Sequence, residues 1–143
     1  MNGADFETAV RRHVWSVLQP HGFQITTHIS GRMYSVEFGS DTHVVSISYE
    51  PGDDYLLVVI FSVKDGIRSD IDDRVATPRL SDLNARFLHA SDADELNRRR
   101  SEGALGPEER RIQRIGAELS IVLPRYLHWC AVTEAGEEHD RAR

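Results

Sequence analysis

The chain has 143 residues, 40% of them hydrophobic and 28% charged, with a net charge of −6 and a single cysteine. That is enough for one domain with a core of its own, and it excludes both a disordered chain and an internal disulfide. An anionic whole also disfavours a generic nucleic-acid binder, which needs clustered cations to release counterions. Reading along the chain, the N-terminus (Met1-Asn2-Gly3-Ala4-Asp5) has neither the basic stretch nor the apolar stretch of a secretory signal. The longest apolar run is about half of what a membrane helix needs. With one thiol, these features favour the cytoplasm.

Asp5 reads as the N-cap of a helix running to about Gln19, with Phe6, Ala9, Val10, Val14, Val17 and Leu18 on one face. Pro20 and Gly22 stop it. Phe23, Ile25, Thr27 and Ile29 then alternate with Gln24, Thr26, His28 and Ser30, which predicts a first strand. After the Ser30-Gly31-Arg32 turn, a second strand sets Tyr34, Val36 and Phe38 against Ser35 and Glu37. Gly39-Ser40-Asp41-Thr42 turns into a third, with Val45, Ile47 and Tyr49 opposite Ser46, Ser48 and Glu50.

Pro51-Gly52-Asp53-Asp54 leads into a fourth strand that is apolar on both faces. Leu57, Val59, Phe61 and Val63 occupy one face, and Leu56, Val58 and Ile60 the other. We take Val59 and Phe61 into the expected core, with Val10, Val14, Ile25, Val36, Ile47, Ile115 and Leu119. Leu56, Val58 and Ile60 then form a second face that a further layer, a partner or a second copy must cover. As the last strand of a 1-2-3-4 meander, this segment would also be an edge. The C-terminal helices covering it is the expectation, and a homodimer pairing there is the alternative.

Periodicity is lost after Lys64-Asp65-Gly66 and returns near Pro78. Ser81-Asp82 caps a short helix to about His89, and Asp92-Ala93-Asp94-Glu95 opens another that ends near Gly103. Pro107-Glu108-Glu109 starts the clearest helix, with Ile112, Ile115, Leu119, Val122 and Tyr126 as its stripe and Pro124 as a kink or break. Residues 133–143 are polar and read as a frayed tail. The fold class is therefore α+β in a single domain, 1–143. An N-terminal helix precedes a four-stranded antiparallel meander, and the C-terminal helices pack on the sheet.

Residues with chemical potential are scattered rather than grouped. Asp65, Asp70, Asp72 and Asp73 superficially suggest a cation loop. Gly66 comes too early for the sharp turn, however, and Ile71 interrupts the ligand alternation, so a solvated acidic loop is the reading. The seven histidines show no HxH, HExxH or Cys/His spacing, and no phosphate-cradling glycine loop occurs. No metal or cofactor is expected, and no catalytic residue is assigned. His28 could meet Glu37 or Glu50 across the sheet, but a half-exposed structural histidine is the simpler account. Cys130, near a helix C-terminus, reads as an inert thiol. Arg98-Arg99-Arg100 fans around a helix without interleaved aromatics and reads as a solvated helix face, partly paired with Asp94, Glu95 and Glu102.

Leu123-Pro124-Arg125-Tyr126-Leu127 in the last helix, and an opening helix that ends Gln19-Pro20-His21-Gly22-Phe23, resemble small bacterial α+β proteins. Many of those are uncharacterised, and some are immunity proteins of polymorphic toxin systems. The resemblance implies a non-catalytic binder that inactivates a partner by occupying its surface, and it carries over no functional residue. A chaperone-like or adaptor dimer holding a partner segment is the alternative, and an enzyme with unrecognised residues a third. For a binder, the expected surface is acidic: Asp53, Asp54, Asp65, Asp70, Asp72 and Asp73, in loops at opposite ends of the fourth strand, together with Leu56, Val58 and Ile60. Such a surface suits a basic toxin domain.

Overall fold

The computed structural model describes residues 1–29, 31–99 and 105–141; the side chains of 27–29 and 135–141 lie outside that description. It is α+β, with an N-terminal helix, an antiparallel sheet and C-terminal helices. The opening helix begins earlier than expected, because Asn2 is the cap. Its Oδ1 accepts the Asp5 N–H at 2.8 Å, leaving Asp5 inside the first turn. Helix α1 (Gly3–Val10) runs through a π-helical turn (Arg11–Trp15) into α2 (Ser16–Leu18) and a 3-10 turn that ends at Gly22 with φ +85°. The widened turn lies where the segment crosses the last helix. A Cβ at Gly116 would stand 2.1 Å from the His13 carbonyl oxygen, so only glycine permits this approach. Glu109 closes the crossing, accepting from Arg12 at 2.7 Å and pairing with His13 Nε2 at 3.0 Å.

The meander has five strands where the sequence suggested four: β1 (Gln24–Ile29), β2 (Tyr34–Gly39), β3 (His43–Glu50), β4 (Tyr55–Lys64) and β5 (Ile67–Arg68), in that spatial order. The fifth comes from Asp65-Gly66, whose φ values of +53° and +77° make a two-residue hairpin turn of the kind an Asp-Gly pair favours. The β3–β4 register decides which face of β4 is inside. Val45 pairs with Ile60, Ile47 with Val58, and Tyr49 with Leu56. Val58 and Ile60 are therefore in the core, with Leu56 packed against it, while Val59 and Phe61 belong to the opposite face. That reverses the expected assignment.

Helices α3 (Leu80–Phe87), α4 (Ala93–Arg98) and α5 (Pro107–Arg141) supply the other layer. Phe6, Val10, Val14 and Leu18 meet Val36, Phe38, Ile47 and Ile60 on one side and Ile112, Leu119, Val122 and Leu123 on the other. Of the expected core, Val10, Val14, Val36, Ile47, Ile115 and Leu119 are in it and Ile25 packs against it. Helix α5 runs from Pro107 to Arg141 with Pro124 inside it, so the proline does not break it. Arg125 closes the layer. Its guanidinium reaches both Asp92 oxygens (2.8 and 2.9 Å) and the Phe87 carbonyl (2.7 Å), which fixes the α3–α4 connection. The Leu123–Leu127 motif thus does structural work.

The free edge of β4 is covered by the chain's own residues 67–79 rather than by the helices. Ser69 exchanges hydrogen bonds with Ser62, Ile60 N–H donates to Pro78 O at 2.9 Å, and Arg79 forms an antiparallel bridge with Val59. Among the described residues no helix is long and apolar enough to cross a membrane.

Candidate interaction surface

The helices cover one face of the sheet, and residues of the other alternate with the core positions: Ser35 and Glu37 on β2, Val44, Ser46 and Ser48 on β3, Leu57, Val59, Phe61 and Val63 on β4. Val59 is buried beside its bridge partner Arg79, whereas Leu57, Phe61 and Val63 stay half-exposed. Phe61 is roofed by Arg68, whose guanidinium carbon lies 5.3 Å from the ring centroid. The same guanidinium reaches across to β2 and binds both oxygens of Glu37 at 2.8 Å. Beside this clamp an open groove of about 480 Å³ runs along the outer face, floored by Gly39, Val44 and Val63 and flanked by Thr26, Asp41 and Arg68.

Residues 69–79 form a strap whose shape is set by its own polar groups. Asp70 Oδ1 accepts the Asp72 N–H, Asp73 Oδ1 accepts those of Val75 and Ala76, and the buried Thr77 hydroxyl donates to the Asp70 carbonyl at 2.7 Å. Arg79 adds bonds to the carbonyls of Ile71 and Thr77, and Arg74 clasps Asp82 at the start of α3. The strap is rigidly tied from behind, so its outward side chains are presented rather than loose. Those are Ile71 and Val75, the latter 85% exposed; Ile67 (72%) is exposed at the same end of β4 and Tyr55 (56%) at the opposite end.

The six carboxylates proposed from the sequence fall into two groups. Asp54 is committed internally. It accepts from the Tyr49 hydroxyl at 2.8 Å and from Arg111 at 2.5 Å, and those two bonds hold its pKa below the usual carboxylate range. Asp70 and Asp73 shape the strap. Asp53, Asp65 and Asp72 are exposed, and their side chains have no hydrogen bond or ion pair among the described residues. Leu56, Val58 and Ile60 face the helices and cannot meet a partner in this fold. The sequence named Glu37 only as a possible partner of His28 and Phe61 only as core, and it did not bring them to Arg68, since only the Asp65-Gly66 turn carries Arg68 back over the sheet.

Other candidates dissolve into packing. Burial pushes the Cys130 thiol up, and nearby Glu134 acts in the same direction, so the thiolate is disfavoured. His43, 6% exposed, packs edge-on against Tyr126, and burial lowers its pKa. Glu118, between α3 and α5, accepts from the Asn84 amide and is pushed up by burial. Arg98 and Arg99 both pair with Glu95; Arg100 and Glu102 lie outside the described residues. The backbone of His28 is registered against Val36, and its side chain, with any pairing to Glu37 or Glu50, lies outside the description. Among the described residues no group of three or more His, Cys, Asp or Glu side chains is placed to hold a metal ion. The chain has no significant match to a family model, a curated protein or a solved structure.

Proposed function

We propose that this chain is a non-catalytic protein-binding module that docks a basic partner on its β4–β5–strap side, as an immunity-type protein occupies the surface of a toxin domain. One observation carries the reading. Between residues 65 and 75, three exposed apolar side chains (Ile67, Ile71 and Val75) accompany two carboxylates, Asp65 and Asp72, that no described residue pairs with, and Tyr55 beside Asp53 repeats the combination at the opposite end of β4. Exposed apolar groups mark contact surfaces, and unpaired acids beside them in the chain steer a cationic partner towards them. A surface serving solubility alone would carry the acids without the apolar anchors.

The test is affinity capture from the native cell followed by kinetics with the protein retained. The on-rate should fall as salt rises, and at low salt it should be roughly tenfold lower in a variant combining Asp53→Lys, Asp65→Asn and Asp72→Lys, with an unchanged melting temperature. Asparagine is chosen at 65 because it tolerates the positive φ of that turn. If the retained protein is a toxin domain, co-expression with this chain should relieve its toxicity. Association indifferent to salt and to the triple variant would overturn the proposal.

A further inference from the structure

The clamp of Arg68 on Glu37 and Phe61 has the composition of an interface pocket occupied from within. An aromatic face and a carboxylate from strands two apart converge on one guanidinium, which both caps the ring and takes a two-pronged hydrogen bond. Glu37 is largely enclosed, its side chain 14% exposed, whereas Arg68 is 42% exposed and comes from a strand of only two residues. The receiving half is built into the sheet, and the occupying half rests on its shortest element. We infer that Glu37 and Phe61 form a receptor for an arginine of the basic partner, held in cis by Arg68 until the partner displaces it, with the adjoining groove taking the chain that flanks that arginine.

This rests on the binding-module reading and adds to it the residue type that the partner presents. Charge complementarity selects a cationic segment, because Asp41 lines the groove and Asp65 stands in the hairpin turn beside it. Lys64 alternates to the other face of β4, away from the groove. Arginine is selected over lysine because the carboxylate is gripped by a planar fork, which an ammonium cannot reproduce. Exchange is cheap. One guanidinium replaces another, so Glu37 is never left unpaired, and the released Arg68, already 42% exposed in the clamp, passes into water with little loss.

The experiment uses the full chain with Arg68→Gln and two probes, N-acetyl-arginine amide and N-acetyl-lysine amide, followed by amide chemical shifts on β2 and β4. The variant should bind the arginine probe at least tenfold more tightly than the wild type and prefer it to the lysine probe. Adding Glu37→Gln or Phe61→Leu should remove that gain. If Arg68→Gln fails to fold, as judged by circular dichroism, Arg68→Lys keeps the charge without the fork and should still bind the arginine probe severalfold more tightly than the wild type. Equal binding by wild type and variant, a gain that survives Glu37→Gln, or indifference between probes would each overturn the receptor. With the captured partner the two proposals separate: an affinity unchanged by Glu37→Gln in an association that stays salt-dependent overturns the receptor alone. Loss of salt dependence overturns the binding-module reading beneath it.

Discussion

The two faces of β4 are built from nearly the same side chains and have different neighbours. Leu56, Val58 and Ile60 look towards Tyr49, Ile47 and Val45, then across β2 to Tyr34, Val36 and Phe38, so the face is apolar on every strand and the helices close over it. Leu57, Val59 and Phe61 look towards Ser48, Ser46 and Val44, then to Ser35 and Glu37. That face lies outside the core cluster: Val59 is buried beside its backbone bridge to Arg79, and Phe61 is capped by the Arg68 guanidinium. A strand's own hydrophobicity does not choose its inner side; the company it keeps across the ladder does. Where a guanidinium rather than a helix caps Phe61, the ring stays half-exposed and within reach of a partner.

The largest expected effect breaks this comparison directly. Aspartate in place of Ile60, which is fully buried, should cost about 4 kcal/mol or more, because a charge would lie unpaired among apolar side chains. The adjacent Phe61→Asp should cost no more than about 1–2 kcal/mol, since water reaches that position. Urea denaturation of both variants measures the difference. Equal losses would mean that the outer face is as enclosed as the inner one and is not an open surface.

The α+β class and the first three strands were legible in the sequence because β2 and β3 each alternate cleanly, with one polar and one apolar face. β4 offers no such contrast, and its faces were assigned the wrong way round. The information lay in the turn. Four residues, 51–54, join Glu50 to its partner Tyr55, so Tyr49 must face Leu56 and every even-numbered residue of β4 goes inside. Asp65-Gly66 likewise carried a strong hairpin signal, but two residues of strand after it are too few to show a period. Of the surface, the acids could be found from composition. Which were free and which were holding a loop could not, because that depends on hydrogen bonds from residues two or three positions away, and in Asp54 from Arg111 on a distant helix.

A smaller effect distinguishes the enclosed side by pH. His43 pairs with Ser62 in the ladder and packs under Tyr126, and burial lowers its pKa below the unfolded value of 6.5. A depressed folded-state pKa means that the unfolded chain binds the proton more readily. Stability is therefore complete above that pH and declines as pH falls towards the folded value, at no more than about 1.4 kcal/mol per pH unit for one proton. Denaturation midpoints between pH 7.5 and 5 should fall more steeply in the wild type than in His43→Phe. Parallel curves would show that His43 is hydrated and that this end of the core is open.

Within the strap the contrast narrows to neighbouring acids. Asp73→Ala removes the acceptor for two backbone N–H groups and should cost about 1 kcal/mol, whereas Asp72→Ala should be neutral within a few tenths. Thermal melts resolve the pair. A neutral Asp73→Ala would mean that the remaining bonds of the strap, including those of Arg79 and Thr77, hold it without Asp73.

The smallest effect on stability is the one most informative about function. Asp72→Lys removes no hydrogen bond of its side chain, so the fold should not register it, yet it reverses a charge next to Ile71 and close to Val75. In water at physiological salt a single exposed charge acts over a Debye length of about 8 Å, enough to bias the approach of a cationic partner. The association rate with the captured partner should therefore fall severalfold at low salt and converge on the wild-type rate as salt is raised, while dissociation changes little. The same substitution paired with Asp53→Lys tests whether the two ends of β4 act together. Losses that multiply place both ends in one encounter surface, and a silent Asp53→Lys confines it to the strap. If Asp72→Lys instead changes dissociation and leaves association alone, that carboxylate is buried in direct contact in the complex, and the partner is seated over the strap rather than steered towards it.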